Sequence, residues 1–174
     1  MNSKICITLN NEKYEVEKKT TLLELSRRFK NLYKSAIVAA RVNNDIKDLS
    51  YELSEDSIIK FIDLTDEDGM RIYRRSLYFI FIKAVNELFP DRNAVISHPM
   101  SNGVYCEIRG EEELTENDVE TVQKKMNEIV KSAIPFEKKI ISTEEARELY
   151  KKTGRLDKYE VLEYRQKSYV TVYN

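Results

Sequence analysis

The feature that most limits how this chain folds is the change of apolar period within its first 62 residues. Residues 4–9 and 13–16 alternate apolar and polar on either side of Asn10-Asn11-Glu12, the pattern of two strands joined by a hairpin turn. The period then lengthens. Leu22, Leu25 and Phe29 recur at helical spacing, with Thr20 or Thr21 placed to cap the helix and Glu24 in its first turn to favour the dipole. That helix is expected to end near Asn31. Residues 36–42 read as a strand, Asn43-Asn44-Asp45 as a turn and residues 57–62 as a further strand. Strand, strand, helix, strand, strand predicts a compact α+β unit.

The polar, acidic stretch from Asp63 to Gly69 separates this unit from a longer helical pattern, Tyr73, Leu77, Ile80, Ala84 and Leu88, which Pro90 stops. The domain boundary is placed here, giving domains of residues 1–66 and 67–174. In the second domain, residues 94–98 and 104–108 flank the turn Pro99-Met100-Ser101-Asn102-Gly103 as two strands. After Glu111-Glu112-Glu113, Thr115 and Asp118 form a capping box with the shorter acid, opening a helix over 116–132. Residues 136–141 read as a strand, Ser142 or Thr143 as the cap of a helix over 144–151, and residues 159–164 and 169–173 as a final hairpin. The pattern stops inside a strand, so the chain is expected to be a piece of a longer protein whose second domain is cut short at its C-terminal end.

Composition excludes several functions. With 41% hydrophobic and 34% charged residues and no long apolar run, the chain reads as globular and soluble, with no membrane partner, no secretory leader and a cytoplasmic location. Lys plus Arg (29) balances Asp plus Glu (30), which argues against a strong overall positive field and leaves only local basic patches for nucleic acid. Cys6 and Cys106 lie in strand-like runs with no Cys-x-x-Cys or Cys/His cluster beside them, so neither a disulfide nor a metal site is expected. Only four glycines are present, and no Gly-x-x-x-x-Gly-Lys loop. No cofactor is expected in this segment.

Several stretches together resemble one family. Ala40-Arg41-Val42-Asn43-Asn44, followed by Asp48 and Leu53, resembles the Arg-Val-Asn-Gly stretch of the TGS domain, a β-grasp unit of threonyl-tRNA synthetases and other proteins. Asp66-Glu67-Asp68-Gly69 matches the junction where the synthetases leave that domain. Arg74-x-Ser76, Ala84-Val85-Asn86-Glu87-Leu88-Phe89-Pro90-Asp91, Asn102-Gly103-Val104-Tyr105, Leu114 to Glu120 with Lys124-Lys125-Met126, Glu145-Ala146-Arg147 and Tyr164-Arg165-Gln166 continue the match into the synthetase editing domain. The resemblance implies an α+β fold, a β-grasp (TGS-like) domain followed by a second α+β, editing-like domain.

In that family the editing chemistry rests on a His-x-x-x-His pair along the first helix of the second domain and on a Cys and a His of a Cys-Arg-Gly-Pro-His stretch. The resemblance places Arg75 and Phe79 at the two histidines, Tyr173 at the cysteine and Thr171 at the acidic residue two before it. Arg75 stays protonated and Phe79 has no titratable atom, so neither replaces a histidine in acid–base work. The resemblance implies that Arg75, Tyr78, Phe79 and Tyr173 share one cleft wall, suited to stack a nucleobase; Phe79 serves equally as a packing residue, and Arg74-Arg75 reads as a solvated pair ahead of an anion clamp. Tyr159, Tyr164, Tyr169 and Tyr173 alternate as strand residues that pack, and with Lys158, Arg165 and Lys167 they also fit a nucleic-acid face. Arg27, Arg28, Lys30 and Lys34, with Lys18 and Lys19, form the most basic surface of the first domain, either solubilising or RNA-binding. A uridine kinase-type nucleoside kinase carries a similar domain pair in front of its P-loop domain. That relative implies a non-catalytic binding region with a kinase domain downstream in cis, where ATP and Mg would act. The competing readings are an editing hydrolase acting on mischarged tRNA and a structural or dimerisation region. Nucleotide and tRNA are the expected ligands, and the oligomeric state is left open.

Overall fold

The computed structural model describes residues 3–101, 103–111, 113–154 and 156–173. Asn102 of the expected turn, Glu112 of the acidic run and Asn174 lie outside the described residues. The fold is α+β, and the chain divides into two compact units, Met1–Asn127 and Glu128–Asn174, with the division falling inside the third helix.

The first unit opens with strands β1 (Lys4–Leu9) and β2 (Glu12–Glu17), paired antiparallel from Lys4↔Glu17 to Leu9↔Glu12. Asn10 and Asn11 turn between them at φ 51° and 67°, the left-handed region that asparagine tolerates better than branched residues do. Helix α1 (Leu22–Arg28) starts on a complete capping box, Thr21 accepting from the Glu24 amide while the Glu24 side chain accepts from the Thr21 amide. It ends earlier than the sequence suggests, passing into a 3-10 turn at Lys30–Leu32. Strand β3 (Ile37–Val42) follows, then β4 (Asp45–Lys47) and β5 (Ser57–Asp63). The three-residue β4 escaped the sequence reading because it is too short to display an alternation.

The sheet order is β2-β1-β5-β3-β4, with β1 and β5 parallel and the other pairs antiparallel. A parallel pair requires a crossover, and α1 lies within it. Leu22, Leu25 and Phe29 of the helix bury against Ile5, Ile7, Leu9, Val16, Ala40, Val42, Ile59 and Phe61 of the sheet. Alternation accounts for the choice: Ile5, Ile7 and Leu9 all face α1. A mixed sheet wrapped around one helix is the β-grasp arrangement.

Helix α2 (Glu67–Leu88) begins inside the polar stretch that the sequence suggested only precedes it, because Asp66 caps it by accepting from the Asp68 amide at 2.9 Å. It ends before Pro90, as the sequence implies. A hairpin of β6 (Asn93–Met100) and β7 (Gly103–Arg109) packs by β6 on α2. Helix α3 (Glu116–Lys131) carries the expected Thr115–Asp118 box, and Lys125 reaches Glu87 of α2 at 2.9 Å. Lys83 meets the same carboxylate at 2.8 Å. These two ammonium groups hold the Glu87 carboxyl below its ordinary range.

The second unit contains β8 (Lys138–Ser142), α4 (Thr143–Lys152), α5 (Leu156–Glu163) and β9 (Tyr169–Tyr173). β8 pairs antiparallel with β9 from Lys138↔Tyr173 to Ser142↔Tyr169, and Ala146, Leu162 and Val170 form the core. The expected strand at 159–164 is a helix instead. Leu162 is buried, Lys158 and Tyr159 are half-buried and Val161 is 71% exposed. That is burial at helical spacing, which the alternation of Tyr159 and Val161 concealed. The tyrosines therefore do not share one packed strand face: Tyr164 follows the helix, 85% exposed, and Tyr169 and Tyr173 are each 49% exposed on β9.

Candidate functional site

The N-terminal half of α2 is fixed to the β-grasp sheet by polar contacts. Asp63, buried at the end of β5, accepts from the Thr65 hydroxyl at 2.5 Å and from the Thr65 amide at 2.9 Å. The hydroxyl bond leads in holding its carboxyl below the ordinary range, against the opposing effect of burial. One turn into the helix, Gly69 lies so close to this corner that a methyl group there would stand 1.9 Å from the Asp63 carbonyl oxygen. Asp68 then bridges two cations, Arg41 of β3 and, at 3.2 Å, Arg71 of α2.

From this anchor α2 presents an open groove of about 470 Å³ lined by Glu67, Met70, Arg71, Arg74, Arg75 and Tyr78. The period of 3.6 residues per turn places Glu67, Arg71, Arg74, Arg75 and Tyr78 along one face. Arg74 and Arg75 are exposed, and Tyr78 is half-buried. Of the residues the sequence assigned to a cleft wall, the structure brings Arg75 and Tyr78 into this groove. Phe79, half-buried on the same helix, is not among its lining residues, and Tyr173 lies on β9 of the second unit. Sequence reading missed Arg71, although its spacing of four and seven residues from Arg75 and Tyr78 was the available signal.

The basic residues of the first unit divide by environment. Arg27 and Arg28 close α1 and suit its negative C-terminal end. The Arg28 guanidinium sits 5.4 Å from the Phe29 ring centre and 5.9 Å from that of Tyr14, covering two core aromatics. Arg27, Lys30 and Lys34 are exposed.

In the second unit a smaller groove of about 350 Å³ is lined by Tyr150, Lys158, Val161, Leu162, Arg165 and Val170, with the Lys158 ammonium 5.5 Å from the Tyr150 ring centre. Nearby, the Arg147 guanidinium stacks 4.8 Å from the Tyr159 ring centre and donates to its hydroxyl at 3.2 Å. His98 is exposed on β6, its Nδ1 3.0 Å from the Ser97 hydroxyl. Cys6 and Cys106 are free thiols, and burial pushes the Cys106 thiol up. Among the described residues no group of three His, Cys, Asp or Glu side chains could hold a metal ion, and no helix is long and apolar enough to cross a membrane.

No family model matches the chain. Curated relatives do. The threonine–tRNA ligase of Desulforamulus reducens is 34% identical over 143 residues, covering 82% of this chain and 22% of that protein. The threonine–tRNA ligase of Streptomyces griseus is 38% identical over 112 residues, 64% of this chain and 17% of its own length. That of Bifidobacterium longum is 32% identical over 142 residues, 82% of this chain and 20% of its own. The chain thus spans about a fifth of the length of the curated relatives it matches.

Proposed function

We propose that this chain is a tRNA-directed N-terminal region of the threonyl-tRNA synthetase kind, a TGS-like domain over 1–66 and an editing-like domain over 67–174, that binds without hydrolysing. The observation that carries the reading is the side-chain set on α2. An ester hydrolase needs a base to activate water and donors for the oxyanion, and this face offers three arginines, a tyrosine and one carboxylate at Glu67. Arg75 and Phe79 occupy the positions that the resemblance assigns to the histidines, and Tyr173 that of the thiol. In this reading the exposed cations Arg27, Lys30 and Lys34, with Arg28, meet the RNA backbone. The relatives named above are all ligases of tRNA. The nucleoside-kinase reading gains no support from them.

A second reading, active editing, is favoured by the extent of the similarity to ligases, 82% of this chain. Two assays on the same protein separate the readings. The first is tRNA binding at two salt concentrations, expected to be saturable and weakened by salt as phosphate contacts require. The second is deacylation of seryl-tRNA, expected at the uncatalysed rate. Enzyme-dependent deacylation rejects the non-hydrolytic reading, and absence of tRNA binding at low salt rejects the tRNA-directed one.

A further inference from the structure

Residues 71, 74, 75 and 78 of α2 stand at i, i+3, i+4 and i+7, the corners of one helix surface patch, and all four line the groove of about 470 Å³. Three are arginine and the fourth is tyrosine. Along the helix axis Arg71 and Tyr78 are about 10 Å apart. Arg71 is held by Asp68 at 3.2 Å. Arg74 and Arg75 are exposed and have no carboxylate partner among the described residues. Asp68 compensates Arg71 while it also pairs with Arg41, and like charges at i and i+4 repel, so Arg75 beside Arg71 keeps this face positive and open to an anion. The sole carboxylate lining the groove, Glu67, stands one turn beyond Arg71, at the end away from Tyr78.

We propose that this patch binds a nucleoside 5′-di- or triphosphate, the phosphates on Arg71, Arg74 and Arg75 and the base on the Tyr78 ring. Planar guanidiniums bind phosphate oxygens bidentately, and three of them on neighbouring turns match a dense, multiply charged group better than a single diester. An aromatic ring at the far corner separates a nucleotide from inorganic phosphate, because every base has a face that stacks. No glycine-rich loop accompanies the patch, so the inference is of binding, with no transfer of phosphate. It rests on the proposed function only in taking α2 as a binding face, and nucleotide and tRNA are titrated separately, so either idea can fail alone.

The test is calorimetric titration of the full chain with UTP and ATP, beside uridine, adenosine and tripolyphosphate. Both triphosphates are expected to saturate one site, with the nucleosides roughly 100-fold weaker and tripolyphosphate roughly tenfold weaker. Arg74→Gln and Arg75→Gln each weaken ATP binding roughly tenfold without lowering the melting temperature, since both side chains are exposed. Tyr78→Phe keeps the affinity and Tyr78→Ala loses roughly tenfold of it. A short RNA with a 5′-triphosphate carries the same group and is expected to compete with ATP, while the same RNA with a 5′-hydroxyl is not. Whichever of ATP and the triphosphorylated RNA binds tighter identifies the carrier the patch prefers. The proposal is overturned by any of three results: no saturation by either triphosphate in a chain that melts cooperatively, nucleosides binding as tightly as triphosphates, or unchanged binding in both Gln variants.

Discussion

Replacing Gly69 by alanine tests the corner on which the α2 face is built, and two physical effects oppose each other there. Helix propensity favours alanine over glycine by about 1 kcal/mol at an interior helical position, part of it through the lost freedom of the unfolded chain. Against this, the added methyl carbon would stand 1.9 Å from the Asp63 carbonyl oxygen, 2.8 Å from its carbonyl carbon and 3.2 Å from Ile62 Cγ2. Relief requires the helix and the strand end to separate by more than about 1 Å in a packed interior, and overpacking of that kind costs typically 1–3 kcal/mol or more. The carbonyl cannot simply rotate away, because it accepts the Asp66 amide at 3.2 Å and the Asp63 side chain is pinned by Thr65. The overlap is with backbone, so the upper part of the range applies, and the expected net loss is roughly 2 kcal/mol. Urea unfolding followed by circular dichroism would read this as a midpoint lowered by about 1 M for a slope near 2 kcal/mol/M. Asn86→Ala, exposed on the same helix, is the control, expected to stabilise by several tenths of a kcal/mol. If Gly69→Ala raises the midpoint as Asn86→Ala does, α2 does not approach β5 this closely, and the arginine face is not fixed at this corner.

Three further outcomes are expected. Thr21→Ala removes the capping box of α1 and should cost about 1 kcal/mol in the same urea assay, whereas Thr20→Ala should cost less, because the Thr20 hydroxyl donates to the Glu17 carbonyl and the cap of α1 is Thr21. Asp63 has a folded pKa below its unfolded value of about 3.9, so its stabilisation is present above that value and is lost as pH falls through the depressed folded pKa. Asp63→Asn should accordingly flatten part of the fall in urea midpoint on acidification, and an unchanged acid limb would show that this carboxylate is not responsible. On the proposed reading, the double variant Arg75→His with Phe79→His should leave deacylation of seryl-tRNA at the uncatalysed rate, since the resemblance puts Tyr173 in the thiol's place; a measurable enzymatic rate would show that the two histidines suffice.

The first unit was readable because its signals are local. Asn10 and Asn11 mark a turn by their tolerance of positive φ, Thr21 and Glu24 mark a helix start three residues apart, and period two places Ile5, Ile7 and Leu9 on one face. Where local signals compete, the reading failed. At 159–164 the β-branched and aromatic residues imitate a strand, yet Leu162 packs with Ala146 and Val170, a tertiary contact that no window of six residues contains. The α2 groove was half legible: Arg75 and Tyr78 came from the resemblance, Arg74 from its neighbour, and Arg71 only from the helix geometry. Its tether is nonlocal, since Arg41 and Asp68 are 27 residues apart.

That tether bears on what the face can do. An arginine free in solvent loses side-chain entropy when it grips an anion, and Arg71 has already given up part of it to Asp68, which Arg41 holds from the sheet. Arg74 and Arg75 have no such restraint, so the patch combines one preset cation with two adaptable ones. A hydrolytic site demands the reverse, a titratable group held within hydrogen-bond reach of one water, and guanidiniums protonated at every working pH cannot shuttle its proton. In the proposed reading, arginine and phenylalanine where the resemblance puts two histidines leave α2 with fixed positive charge in place of a proton-transfer pair, a face suited to binding.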